Sequence, residues 1–175
     1  MATVGKTSDG TNVQTFSEDR IYLSTATPSS GGTLTGGGGR IRVTTAGSFG
    51  SKLVVYSDLV GVPLTFLAVS DELIVDWTTS TDSVWTFSGA NQITLVSGTP
   101  YWFGFWSDDP GTPSYEYKRD NTAGVNQFAA EVYPGSGSPA SPWVSGGTAN
   151  GPLNCYLTYT EPSGRTNKLM TLGVG

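Results

Sequence analysis

Lys52–Val75 reads KLVVYSDLVGVPLTFLAVSDELIV. β-Branched and aromatic residues fill it, and the turn Gly61-Val62-Pro63 interrupts it. That composition and punctuation describe strands joined by tight turns. Gly98–Asp109, GTPYWFGFWSDD, and Asn154–Pro162, NCYLTYTEP, repeat the pattern further along. No window longer than a few residues holds a 3.6-residue period, so no long helix is expected. Short strands at close spacing, separated by Gly, Pro, Asp and Ser, predict an all-β fold. The expected architecture is a single antiparallel β-sandwich, jelly-roll-like, rather than a parallel α/β sheet.

Outward from these segments the remaining strands fall at 20–26, 40–45, 83–88, 91–96, 114–119 and 126–133, with 51–57, 64–69, 72–76, 101–107 and 154–160 inside the quoted stretches. Alternation assigns faces. In RIRVTT, Ile41 and Val43 point one way and Arg40, Arg42 and Thr44 the other. In YWFGFW, Tyr101, Phe103 and Phe105 share one face, and Trp102 and Trp106 the other. A strand apolar on both faces is either covered by a loop or part of an interface, and the covered core is the expectation. Tyr133–Pro152 is rich in Gly, Pro and Ser and reads as a long loop, pinned to the sandwich by Trp143 and Val144.

The chain divides into three parts. Residues 1–18 are polar and without period, and are expected as an extended arm outside the core. Residues 19–162 form the sandwich domain, with PSSGGTLTGGGG at 28–39 read as a flexible hinge. Residues 163–175, SGRTNKLMTLGVG, form a tail whose apolar side chains suit docking on a neighbour. The expected docking residues are therefore Val4, Val13 and Phe16 at one end, and Leu169, Met170, Leu172 and Val174 at the other.

Composition excludes several functions. At 175 residues there is room for one domain with a proper core. The net charge of −5 leaves no Lys/Arg excess to displace counterions, so neither nucleic acid nor an anionic membrane is an expected partner. No run approaches the roughly 18 apolar residues of a membrane span. The start, MATVGKTSDG, shows no apolar stretch of the Sec type, and a product made in a cytosol is expected. Cys155 is the single cysteine and there is no histidine to activate it. A small buried thiol is the expected state.

Chemical motifs are weak. GKT at Gly5–Thr7 lacks the upstream glycine, strand and following helix of a phosphate loop. Gly36–Gly39 has no helix behind it to complete an anion cradle, so a turn is expected. The carboxylate pairs Glu18/Asp19, Asp71/Glu72 and Asp108/Asp109 are adjacent, and neighbours on a strand point to opposite faces, so no pair can flank one glycosidic bond. Asp58, Asp108, Asp109 and Asp120 sit at strand ends or turns, where a hard cation finds oxygen ligands, but turn chemistry explains them as well and no EF-hand spacing is present. Neither a catalytic residue, a metal nor a cofactor is assigned. Trp102, Trp106, Tyr115, Tyr117 and Trp143 are the aromatics that could stack on sugar rings; the competing reading is core and loop anchors.

The order KLVVYSD–GVP–FLAVSDELIV, SGTPYWFGFWSD, a YxY strand at Tyr115–Tyr117, a Pro/Ser/Gly loop and CYLTYTEP resembles a β-sandwich module recurring in phage virion proteins, decoration and tail proteins among them, and in some secreted bacterial surface proteins. The resemblance runs from Arg40 to Pro162 and records turns and core positions, with no catalytic residues attached. Leu64–Phe66 is more apolar than the family's usual Gly-containing turn, and Trp143 stands where Phe is commoner. With no export signal, the resemblance implies a phage virion protein assembled in the host cytoplasm. The expected role is a capsid decoration protein, with the major capsid protein and copies of itself, as a trimer, for partners. The alternative is a carbohydrate-binding host-attachment module using Trp102, Trp106, Tyr115 and Trp143 on a surface glycan.

Overall fold

The computed structural model describes residues 1–15, 19–44, 46–108, 115–120, 125–131, 133 and 138–162. Among them are β1 (Ala2–Gly5), β2 (Asn12–Thr15), β3 (Arg20–Ala26), β4 (Gly32–Val43), β5 (Phe49–Leu59), β6 (Val62–Val69) and β7 (Leu73–Val75). There follow β8 (Thr81–Thr86), β9 (Thr94–Leu95), β10 (Tyr101–Ser107), β11 (Tyr115–Arg119), β12 (Val125–Ala130), β13 (Gly147–Asn150) and β14 (Cys155–Thr160). A single 3₁₀ turn, Gly89–Asn91, is the one helical piece among the described residues, and no helix there is long and apolar enough to cross a membrane.

Every pairing is antiparallel, and the strands form two sheets packed as a jelly-roll-like sandwich. One sheet runs β13-β12-β3-β10-β5-β6, with β7 continuing the β6 row along β5. The other is built around β4. β8 and β9 line one side of it, β14 and β11 the other, and β1 and β2 the outside of β14 and β11. Between the sheets lie Leu34, Ile41, Val43, Leu53, Val55, Trp85, Phe103, Phe105, Tyr115, Tyr117, Leu157 and Tyr159, all buried.

Three expectations are corrected. The segment expected as a free arm is part of the fold: β1 pairs with β14 and β2 with β11, so the first fifteen residues run along one edge of the β4 sheet. Polar edge strands show no strong alternation, because half of their surroundings is water. Of the expected hinge at 28–39, Gly32–Gly39 are instead the first part of β4, which lies between β14 and β8. Gly36–Gly39 form strand because large neighbours occupy the space their side chains would take. A Cβ on Gly37 would meet Leu53 Cδ1 at 2.6 Å, and one on Gly39 would meet Phe105 Cζ at 2.5 Å. Lastly, the loop expected across 133–152 contributes β13, paired with β12.

Candidate docking surface

The two outer faces differ. On the β4 sheet, Arg40 and Arg42 face solvent as alternation predicts; Arg40 pairs with Asp82 at 2.7 Å and Asp9 at 2.6 Å, and Arg42 with Glu116 at 2.7 Å. On the β10 sheet the outer face carries a second apolar cluster of Ile21, Leu23, Val54, Tyr56, Trp102, Trp106 and Tyr133, with Phe66, Val69 and Trp143 against it. The segment after β12 covers it. Trp106 meets Tyr133 edge-on at 5.1 Å and donates from Nε1 to Glu131 O at 3.1 Å. Tyr56 meets Trp143 edge-on at 5.1 Å and donates its hydroxyl to Ala140 O at 3.1 Å. Trp143 N donates to Leu64 O at 2.7 Å, and Phe66 N to Ser141 Oγ at 3.2 Å, which occupies the outer edge of β6. The covered core expected of YWFGFW is what forms.

That placement corrects the glycan assignment. Trp102 and Trp106 are 1% exposed and Tyr115 is fully buried between the sheets, stacked on Phe49 at 4.2 Å. Half-buried Trp143 stands edge-on to Tyr56. None of the four presents an open face in a row with the others.

Of the expected docking residues, Val4 is buried under β1 and joins the core, while Val13 is exposed on β2. Phe16, Leu169, Met170, Leu172 and Val174 lie outside the described residues. Of the aspartates, Asp58 accepts from Trp102 Nε1 at 2.7 Å and from Gly61 N at 3.1 Å. Asp120 pairs with Lys6 at 2.7 Å, and this contact holds its carboxyl below the usual range. Asp109 lies outside the described residues, among which no three His, Cys, Asp or Glu gather as a cation site.

Sequence reading missed the tip of the β5–β6 hairpin. Leu59 pairs with Val62, leaving Val60 and Gly61 as a two-residue turn with φ of 52° and 84°. Two positive φ values mark the type I′ arrangement, which favours Asn-Gly or Gly-Gly. A β-branched residue at positive φ is a real outlier. Val60 is nonetheless 96% exposed, with Leu59 and Val62 about half exposed beside it. The signal was present in LVGV, an apolar quartet at a turn where polar residues are the rule.

Cys155 is 1% exposed, and burial pushes its thiol far above the ordinary range. A buried neutral thiol is inert. In native protein at pH 8 a disulfide reagent is expected to titrate no thiol over an hour, and one per chain in denaturant. Rapid labelling of folded protein would show that the thiol is accessible.

No family model and no curated protein matches the chain. Two solved structures are similar at low level: the structure of the infectious bursal disease virus Gx strain (TM-score 0.37, 12% identity, 91% of this chain and 42% of that one), and the crystal structure of the T13 particle of the same virus (TM-score 0.36, 13% identity, 91% and 39%). This chain spans about two fifths of the length of each. Likeness at such scores carries no function across.

Proposed function

We propose that this chain is a non-enzymatic structural protein of a phage virion, a capsid decoration (cement) protein that docks on the head lattice. Its partners on this reading are the major capsid protein and copies of itself. The observation that carries the proposal is the Leu59–Val62 tip. It holds an almost fully exposed valine at the end of the β5–β6 hairpin, in a backbone conformation that valine disfavours. Fully burying such a side chain contributes roughly 1.5–3 kcal/mol, too little for one firm complex. Repeated over many copies on a symmetric shell, and joined to other weak contacts, it suffices for a stable coat. The resemblance of residues 40–162 to virion sandwich modules supports the same setting.

Val60→Asn separates docking from folding. Asn-Gly is a favoured type I′ pair, so the variant is expected to gain about 1 kcal/mol of stability from relief of the left-handed valine. Its affinity for expanded capsids lacking the protein should fall about ten- to a hundredfold, the equivalent of the lost burial. Urea midpoints and cosedimentation measure the two effects. Undiminished capsid binding by Val60→Asn would remove the tip from the interface. Failure of the unaltered protein to bind capsids at all would overturn the decoration reading.

A further inference from the structure

A knob and a hollow lie at the same end of the β10 sheet. Tyr101 of β10 pairs with Ala26 of β3 on one side and with Ser57 of β5 on the other. Just past Ser57 stands the Leu59–Val62 tip, and beside Ala26 opens a cleft of about 370 Å³. A Cβ on Gly61 would meet nothing within 4 Å, so the tip stands clear of the body. Val60 is 96% exposed, so the tip does not fill the cleft of its own molecule.

Phe103, Leu153 and Cys155 line the cleft, with Val4 and Ala26 beside them and exposed Thr27 on its wall. Polar groups at its closed end are already engaged. Lys6 N donates to Cys155 O at 2.9 Å, and Lys6 Nζ holds Asp120 at 2.7 Å. Ser24 donates its hydroxyl to Asn126 and accepts from Leu153 N at 2.8 Å, which fills the flank of β3 at that point. Neither a polar ligand nor an added strand is called for there. What remains is a hollow with an apolar lining and the size of a small-ligand site.

Charge selects the occupant. The chain carries a net charge of −5, so copies repel one another over most of their surface. The cleft lining holds no carboxylate and one cation, Lys6. The tip, Leu59-Val60-Gly61-Val62, is uncharged, and Asp58 behind it is held by Trp102 Nε1 and Gly61 N. Tip against cleft therefore brings two copies together with no like charges opposed. The two surfaces differ, so the contact passes from copy to copy and makes a ring or a continuous layer. A four-residue hairpin end falls short of the roughly 1,000 Å² of a stable solution interface. The contact is weak between free chains and adds up where many are held side by side.

We propose that the Leu59–Val62 tip of one copy inserts into the cleft between β1 and β3 of a second copy. The inference rests on the decoration reading for its setting and names what the tip meets there.

The first test needs no capsid. Cys155 is buried, so a cysteine introduced at exposed Thr65 takes a spin label beside an unaltered tip. The labelled Thr65→Cys chain is mixed with nitrogen-15 wild-type chain at about 1 mM, the Kd expected of so small a contact. The amides of Thr25, Thr27 and Leu153, which line the cleft, are expected to broaden in the wild-type copy. They should recover on dilution to about 50 μM, and when Val60→Asn is added to the spin-labelled chain. Broadening at the tip of the second copy would show tips meeting tips, and absence of broadening would show no contact. Either result overturns the proposal. Thr27→Arg blocks the cleft from an exposed wall position and should lower capsid affinity about tenfold or more, as Val60→Asn does. If Thr27→Arg binds capsids undiminished while Val60→Asn does not, the tip meets the capsid protein; this proposal falls and the decoration reading stands. If the cleft amides broaden but the unaltered chain binds no capsids, the decoration reading falls alone.

Discussion

Gly39→Ala is expected to destabilise the protein by about 3 kcal/mol or more, a large share of the roughly 5–15 kcal/mol that holds an ordinary domain folded. The added Cβ would lie 2.5 Å from Phe105 Cζ and 2.6 Å from Asn154 O. Phe105 is wedged in the core against Trp85 and Tyr117 at centroid distances of 5.5 and 6.1 Å, and cannot swing away. Asn154 O is backbone, and it accepts the Arg40 amide at 3.3 Å. Moving either group separates β4 from its neighbours. Gly38→Ala is the contrast. Its Cβ would meet only the hydroxyl end of Tyr156, a half-buried side chain that can rotate outward, and a cost below about 1 kcal/mol is expected. Urea midpoints of the two variants measure the difference. Equal midpoints would show that the glycine run is not packed as described.

This pair of neighbours shows where sequence reading succeeded and where it stopped. The strands at 20–26 and 101–107 carry enough apolar alternation to declare themselves, and they lie where they were expected. Arg40–Val43 was legible because its charged and aliphatic residues face opposite surroundings. Gly36–Gly39 was not, since a glycine has no side chain to alternate, and its strand conformation is imposed by Leu53, Phe105 and Tyr156 from elsewhere in the chain. β1 and β2 failed for a related reason: a polar edge strand owes its place to its partner's free backbone groups, which leave little local trace. At the candidate site, burial of Trp102 and Trp106 followed from the two-faced apolar pattern, but their cover depends on where residues 138–146 return. The exposed tip was spelled out in LVGV, yet only the positive φ of Val60 shows that the turn tolerates a costly residue.

Trp102→Ala is the other change with a large expected effect, because it reaches the tip as well as the core. Truncating a buried tryptophan typically costs about 3–5 kcal/mol, the sum of lost transfer energy and the cavity left behind. Trp102 also donates from Nε1 to Asp58 Oδ1 at 2.7 Å, and Asp58 Oδ2 receives the Gly61 amide at 3.1 Å. The indole thus braces the carboxylate that braces the turn. Trp102→Phe keeps an aromatic ring in the site but removes the donor and part of the buried ring, and a loss of at least roughly 1.5–3 kcal/mol is expected, the range for a hydrogen bond to a charged group alone. On the decoration reading the Phe variant should remain folded and bind capsids more weakly, since Asp58 is no longer held and the hairpin end moves more freely. A glycan-stacking Trp102 would behave oppositely: its removal would leave the urea midpoint unchanged while abolishing sugar binding. Midpoints and capsid binding of the two variants, measured together, decide between a tryptophan that organises the tip and one that meets a ligand.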